Sequence, residues 1–453
     1  MNAQANLELP VAVIGAGPVG LAAAAHLVTR RVPVKLYEAG DTVAAHVRSW
    51  GHVRLFSPWS FNTDSAAAAL LRDRGWRQPP GDAFPTGHEL CSDYLEPLAA
   101  TPELQPVIEC NVRVRSITRR GIDKVASRNR EQHPFALAVS ERNGRSRIDI
   151  ARAVIDASGT WSNPNPLSAS GVEAPGEAAG TDRIAYGIPD VLGKDRFIYA
   201  GQRVLVVGGG HSAANVLLDL TRLAEADGKT QVVWALRSPT LARLLGGGAA
   251  DRLPARGRLG TELKALVDDG RIELLSGFAV ERIERRYGGL VVVGRTATAS
   301  HQIGPVHRIV VCTGQRPDLT LTRELRLDLD PWLESARMLG PMIDPNLHSC
   351  GSVPPHGYKE LAHPEPGYFA VGVKSYGRAP TFLMATGYEQ VRSVAAHLAG
   401  DETAANDVRL VLPETGVCST NPAPSIGTVA ACCGAQVEPA ATKTSCCGST
   451  ANV

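Results

Sequence analysis

Two short glycine patterns in this 453-residue sequence have the residue types and spacing that hold a pyrophosphate. The first, Gly15-Ala16-Gly17-Pro18-Val19-Gly20, follows the apolar run Val11–Ile14. In such a pattern the first glycine permits a tight turn, the second lets the backbone approach the phosphates, and the third lets a helix pack on the strand. Residues 21–27 read as that helix, whose N-terminus would offer free N–H groups and the positive end of its dipole. The strand predicted over 32–37 closes on Glu38, whose carboxylate can accept both hydroxyls of a ribose. Strand, turn, helix and acid together specify a dinucleotide-binding βαβ unit; the glycines alone would be a bare turn.

The second pattern is Gly208-x-Gly210-x-x-Ala213, with His211 and Ser212 inside it and alanine in the third glycine position. Here the next strand ends in Arg237-Ser238 where an acid would be expected. A carboxylate at that point would repel a ribose 2′-phosphate, whereas a guanidinium binds it bidentately. The second site is therefore expected to take NADPH in preference to NADH, an unliganded surface arginine being the plainer alternative. His211 reads as a hydrogen-bonding residue of the turn rather than a base. One site with Glu38 and one with Arg237 imply two different dinucleotides, FAD first and NADPH second.

Over residues 8–400 the chain resembles the two-dinucleotide-binding-domain flavoproteins. The resemblance rests on both glycine turns, on the junctions Ser158-Gly159-Thr160 and Thr313-Gly314 with Arg316-Pro317-Asp318 after it, and on Phe369-Ala-Val-Gly372 before a last helix. It implies an α/β fold of two Rossmann-like three-layer domains, the NADPH domain inserted in the FAD domain, with a small antiparallel meander and a disordered C-terminal tail. Members commonly carry an Asp for the ribityl chain where this sequence has Gly372-Val373-Lys374. Backbone N–H groups near Thr381 and Phe382, at the start of the last helix, would face the flavin pyrimidine. Gly-Gly-Gly-His-Ser-Ala at 208–213 looks like the second motif of flavin-containing monooxygenases, although their linker fingerprint is missing. The run from Trp50 to Asn62, the C-terminal cysteines and Leu412-Pro-Glu-Thr-Gly-Val-Cys418 more closely resemble flavoprotein monooxygenases of bacterial arsenic-resistance operons. That narrower likeness implies NADPH-driven oxidation of a trivalent arsenic species.

The elements that must position these residues divide the chain into four stretches. Residues 1–185 are expected to be the first part of the FAD domain, 186–305 the NADPH domain, 306–402 the second part of the FAD domain, and 403–453 a cysteine-rich flexible tail. Short alternating bursts over 112–156 predict the antiparallel meander. The Pro/Gly/Ser-rich run 163–176 reads as a linker or exposed loop. A last strand is predicted over 368–373 and a last helix over about 382–398.

At roughly 150 residues per domain, the length allows about three units and rules out a small stapled scaffold. Lys plus Arg number 47 against 45 acidic residues, a net charge of +2 with both signs interspersed, which argues against a nucleic-acid partner. No apolar run reaches the length of a membrane span, and the first residues lack a basic leader, so a cytoplasmic protein with no membrane partner is expected. The LPxTG-like Leu412-Pro-Glu-Thr-Gly416 lacks the apolar span and basic stop that a sorting signal needs.

Cysteine placement bears on the electron acceptor. Cys91, Cys110, Cys312 and Cys350 are scattered with no redox spacing and read as small buried hydrophobes. Cys418, Cys432, Cys433, Cys446 and Cys447 crowd the C-terminus, where thiolates could ligate a soft metalloid or relay electrons by dithiol exchange. Without a thiol pair beside the flavin, the leading expectation is a monooxygenase acting on O2 and a small soft substrate. The alternatives are a thioredoxin-reductase-like enzyme using the terminal cysteines, and a metalloid-binding flavoprotein with little turnover. No catalytic residue is assigned. Arg54, Asn62, Lys374 and Tyr376 lie on segments expected near the flavin, and a homodimer is left open.

Overall fold

The computed structural model describes residues 8–241, 254–348, 353–380 and 382–410. Thr381, Cys350 and the five terminal cysteines, Cys418, Cys432, Cys433, Cys446 and Cys447, lie outside the described residues.

Two parallel five-stranded sheets carry the chain. The first has the order Tyr368–Ala370, Ala153–Asp156, Val11–Ile14, Val34–Tyr37, Ile108–Glu109. Val11 to Val13 and Val154 to Ile155 are essentially inaccessible, as befits central strands covered on both faces. Helix Pro18–Thr29 covers one face. Its run Ala22 to Ala25 is buried, and these small side chains let it lie against the C-terminal helix Met384–Leu398.

The second sheet has the order Glu273–Ser276, Gln231–Leu236, Arg203–Val207, Arg308–Val311, Ile184–Tyr186. Strand Arg308–Val311 therefore belongs here and not to the returning FAD portion expected from residue 306. Its parallel register Ile309↔Leu205 and Ile309↔Ile184 makes it the bridge between the glycine-turn strand and the edge strand.

Each sheet is accompanied by a three-stranded antiparallel meander. The expected one is Val112–Arg119, Phe135–Glu141, Ser146–Ala151; a second, not foreseen from the sequence, is Ala279–Arg286, Gly289–Arg295, Ser300–Val306. A buried ionic cluster fastens the first meander region to the returning chain. Arg119 Nε donates to Glu365 Oε1 at 2.7 Å and Arg130 Nη2 to Glu365 Oε2 at 2.9 Å. Desolvation alone would raise the Glu365 pKa, but the hydrogen bonds from Arg130 and Arg119 outweigh it and hold the carboxyl below its ordinary value.

Specific contacts hold the 163–176 loop and the start of the expected tail. Buried Glu177 ties the 163–176 run down, accepting from Leu167 N at 2.8 Å, Ala174 N at 2.7 Å and the Tyr186 hydroxyl. The start of the expected tail at residue 403 falls within helix Glu402–Asn406, capped by Asp401 and packed on the C-terminal helix through buried Ala405. Composition pointed to disorder there; the cap and the buried methyl group supply the local order that composition does not report.

Candidate functional site

The two glycine turns are built alike. Gly15 has φ +95°, and a Cβ there would lie 2.7 Å from the Ala157 carbonyl oxygen; Gly208 has φ +141°, and a Cβ there would overlap the Cys312 carbonyl oxygen. In each case the neighbouring strand, Ala153–Asp156 or Arg308–Val311, leaves room for backbone only. A Cβ on Gly20 would overlap the Gly15 carbonyl, and Ala213 is wholly buried in the corresponding place. Gly17 and Gly210 differ from these. A Cβ on either meets nothing within 4 Å, so these two positions face open space at the mouth of each turn.

Gly17 and Gly210 are also the N-caps of helices Pro18–Thr29 and His211–Asp227, and neither helix has a side-chain cap or an acidic residue in its first turn. Pro18 stands at the first helical position. The uncapped N–H groups and the dipole end therefore point into the open space, an arrangement that suits a pyrophosphate.

Around the first turn, Glu38 is fixed by its neighbours. Its Oε2 accepts from Ala16 N at 2.8 Å and its Oε1 from Gly40 N at 2.7 Å, leaving lone pairs on both oxygens for a ribose diol. The opposite wall is the returning segment. A Cβ on Gly372 would sit 3.2 Å from Val19, and Val373 lies 3.9 Å from a Cβ built on Gly159. Ser158 Oγ donates to Asp156 Oδ1 at 2.6 Å and accepts from Lys374 Nζ at 2.9 Å. Lys374 is thus buried against Asp156 at 2.7 Å, an ion pair that the sequence did not disclose.

Behind that wall, Gln390 Oε1 accepts from Gly372 N at 2.8 Å. Its Nε2 donates to Ser375 Oγ at 2.9 Å and to His356 Nε2 at 3.1 Å. His356 Nδ1 then donates to the Pro354 carbonyl at 2.9 Å, which fixes the neutral tautomer. Gln390 and His356 carry no signal in the sequence, because each belongs to a separate element with no motif of its own.

The last helix begins at Met384 with Leu383 as N-cap, so Phe382 precedes it, packing its ring 5.3 Å from that of Tyr376. The helix start expected near Phe382 lies instead at Met384, and in its first turn Thr386 N donates to Leu383 O at 3.0 Å. Thr386, 1 % exposed, lies in that turn with no hydrogen-bond partner for its Oγ1 within the protein. A buried orphan hydroxyl beside an uncapped helix start, together with the cradle at Gly17 and the prepared carboxylate of Glu38, fits a flavin dinucleotide in the first cleft.

In the second site Trp234 Nε1 holds the turn by donating to Gly208 O at 2.7 Å. Ser212 lies in the first turn of the helix. Arg237 is exposed at the end of its strand, and among the described residues its guanidinium donates to Ala169 O at 3.2 Å. His211 lies across from the first domain, its ring 5.0 Å from Phe56. Thr313 and Gly314 are turned away from the second turn toward Asn165: Thr313 Oγ1 donates to Asn165 O at 2.9 Å, and Gly314 O accepts from Asn165 N at 3.0 Å.

Arg54 and Asn62 are structural. Arg54 donates to Phe84 O and pairs with Glu89 on the surface, and buried Asn62 bonds Ser57 and Pro58 and accepts from Tyr388. Cys91, Cys110 and Cys312 are unpaired. Burial pushes the Cys91 thiol up to about 11 and the Cys312 thiol up to about 12, and raises Cys110 as well. None of the three is a thiolate at neutral pH. Among the described residues no cluster of His, Cys, Asp or Glu could hold a metal ion, and no helix is long and apolar enough to cross a membrane.

The family model for pyridine nucleotide-disulphide oxidoreductases matches residues 12–338. The fold resembles the bacillithiol disulfide reductase of Bacillus cereus, at 19 % identity and TM-score 0.62, covering 86 % of this chain and 99 % of that one. It also resembles the cadaverine monooxygenase of desferrioxamine biosynthesis from Erwinia amylovora, at 14 % identity and TM-score 0.61, covering 92 % and 99 %. A third is the ornithine hydroxylase of Pseudomonas aeruginosa, at 15 % identity and TM-score 0.59, covering 87 % and 99 %. At these identities the likeness concerns the fold. No curated protein matches the chain.

Proposed function

The chain belongs to the pyridine nucleotide-disulphide oxidoreductase family, and on that premise we propose that it is an FAD-dependent, NADPH-oxidising monooxygenase of a small, soft substrate. FAD bound in the first cleft would supply the redox chemistry that links NADPH oxidation to O2. The balance is NADPH, H⁺, O2 and substrate giving NADP⁺, water and the oxygenated product.

The chain's own residues account for binding and orientation. Glu38 receives the adenosine ribose, the N-terminus of helix Pro18–Thr29 receives the FAD pyrophosphate, and Gly17 lets it approach. The first turn of the last helix, with Thr386, would face the flavin ring, where the helix dipole would stabilise negative charge on it. Gly210, Ser212 and the second helix start hold the NADPH pyrophosphate, and Arg237 takes the 2′-phosphate. Ser158 and Gly159 line the first cleft; Thr313 and Gly314 support the second from behind.

The observation that carries the choice of oxygen as acceptor is the state of the described thiols. Cys91 and Cys312 are buried and Cys110 is half-buried, all three are unpaired with thiols pushed up by burial, and none supplies a dithiol to a flavin. A trivalent arsenic species is the substrate we favour. Its softness suits the vicinal pairs Cys432-Cys433 and Cys446-Cys447, with Cys418, as a capture arm, and the Trp50 to Asn62 resemblance points the same way.

Purified protein should be yellow. Adding a trivalent arsenical should accelerate NADPH oxidation and place one atom of labelled O2 in the product. Anaerobic, NADPH-dependent reduction of a disulfide, abolished by deleting residues 413–453, would overturn the oxygenase reading in favour of a thiol reductase.

A further inference from the structure

The chain crosses between the two domains twice, at 157–167 and at 312–318, and the two crossings are laced to each other. Asn165 N donates to Gly314 O at 3.0 Å and Asn165 Nδ2 to Thr313 O at 3.1 Å, while Thr313 Oγ1 donates back to Asn165 O at 2.9 Å. One step along, Asn163 Nδ2 donates to Pro317 O at 3.1 Å and Arg316 N to Asn163 O at 3.1 Å. Thr160 Oγ1 donates to Gln315 Oε1 at 3.2 Å, and Pro164 and Gln315 form an antiparallel bridge. Arg316 Nη1 reaches Gly171 O at 3.2 Å. Two side-chain amides thus satisfy carbonyls on the opposite crossing that lie outside either sheet.

Each crossing leaves a strand that abuts a glycine turn. The first follows Ala157, whose carbonyl packs on Gly15; the second follows Cys312, whose carbonyl packs on Gly208. The lacing therefore joins the two turns through backbone at both ends. A further contact links the two parts of the chain: the Phe56 and His211 rings are 5.0 Å apart.

We propose that Asn163 and Asn165 are positioning residues that lock the two crossings into one rigid clamp, holding the two dinucleotide turns at a fixed separation for hydride transfer. This rests on the assignment of FAD and NADPH to those turns. Hydride transfer falls off steeply when donor and acceptor are misplaced by about an ångström, so a clamp acting on both turns acts on the rate and not on the affinity of either site. A single fixed arrangement also favours an acceptor that diffuses in, such as O2, over a partner that needs the domains to swing apart.

The test is anaerobic stopped-flow reduction of the FAD-loaded enzyme by NADPH. In Asn163→Ala/Asn165→Ala the flavin reduction rate should fall on the order of 10- to 100-fold, with FAD content and NADPH Kd at wild-type values. The wild-type rate should not respond to added glycerol, whereas the residual rate of the variant should fall with viscosity as the domains search for alignment. Asn165→Asp keeps the side chain's size but loses its donor, and should give the same split if the double variant does not fold. An unchanged reduction rate in a folded variant, or a rate loss matched by lost FAD or weakened NADPH binding, overturns the clamp. A wild-type flavin that NADPH cannot reduce overturns the assignment of the sites instead.

Discussion

Lys374 Nζ stands 2.7 Å from Asp156 Oδ2 with both side chains buried, at the end of the first sheet where its ligand cleft opens. The Tyr368 hydroxyl donates to the same Asp156 oxygen at 3.1 Å, and Ser158 shares the other. Removing the lysine alone strands a buried carboxylate. Lys374→Met should therefore cost about 3–5 kcal/mol of stability, while Asp156→Asn/Lys374→Met should recover most of the loss. Urea unfolding of the three proteins decides it; equal midpoints for the single and double variants would mean the pair is not coupled.

The glycine turns separate fold from ligand. Gly20→Ala places a methyl group on the Gly15 carbonyl and should yield protein that is unstable and free of FAD. Gly210→Ala meets no protein atom, so its melting temperature should stay within a few degrees of wild type while KM for NADPH rises about tenfold. Thermal melts and initial rates on both variants check this, and an unaffected KM in Gly210→Ala would remove the pyrophosphate from that position.

Arg237→Ala should raise KM for NADPH by about 10- to 100-fold and leave that for NADH nearly unchanged, because only the 2′-phosphate loses a charge-assisted partner. Steady-state kinetics with each nucleotide suffices. Equal effects on both would show that the arginine reads something common to the two.

His356 lies behind the first cleft as a neutral hydrogen-bond acceptor for Gln390. Burial pushes its pKa below the usual 6.5, against weaker opposing effects of the Pro354 carbonyl, Glu360 and Glu389. A base whose folded pKa is lowered contributes stability above its unfolded value, and that contribution is lost as pH falls from 6.5 toward the folded pKa. As pH is lowered from about 7.5 to about 5, the unfolding free energy should fall more steeply in wild type than in His356→Gln. Denaturant titrations at several pH values across that window check this, and parallel curves would show that His356 does not carry the dependence.

Cys312 donates to the Gly187 carbonyl at 3.3 Å, and its thiol is pushed up to about 12 by burial. At about pH 8 the native protein should leave Cys312 unmodified by iodoacetamide over times that label an exposed thiol fully. Peptide mass mapping before and after unfolding reads this; rapid native labelling would contradict its burial.

Much of the site is legible in the residues. Gly15, Gly17, Gly20 and Glu38 announce the first unit because turn, phosphate approach and ribose binding each demand a residue type within a few positions along one chain. Gly208, Gly210 and Arg237 do the same for the second. Elsewhere composition is a poor substitute for contacts: the 163–176 run is the loop its residues suggest, but nothing in them reveals that Glu177 ties it down. Strand Arg308–Val311 looks like the start of the returning domain because a parallel strand carries no mark of which neighbour it pairs with.

The sequence by itself determined the two glycine turns, their order along the chain and the residues Glu38 and Arg237 that end the strands after them, since those depend on spacing along the backbone. Only the tertiary structure decided that Lys374 answers Asp156 across 218 positions, that Gln390 and His356 set the Gly372 wall, and that Asn163 and Asn165 lace the two crossings. These contacts join residues distant in the chain through hydrogen bonds, and a hydrogen bond between separate elements exists only once packing has brought donor and acceptor within reach.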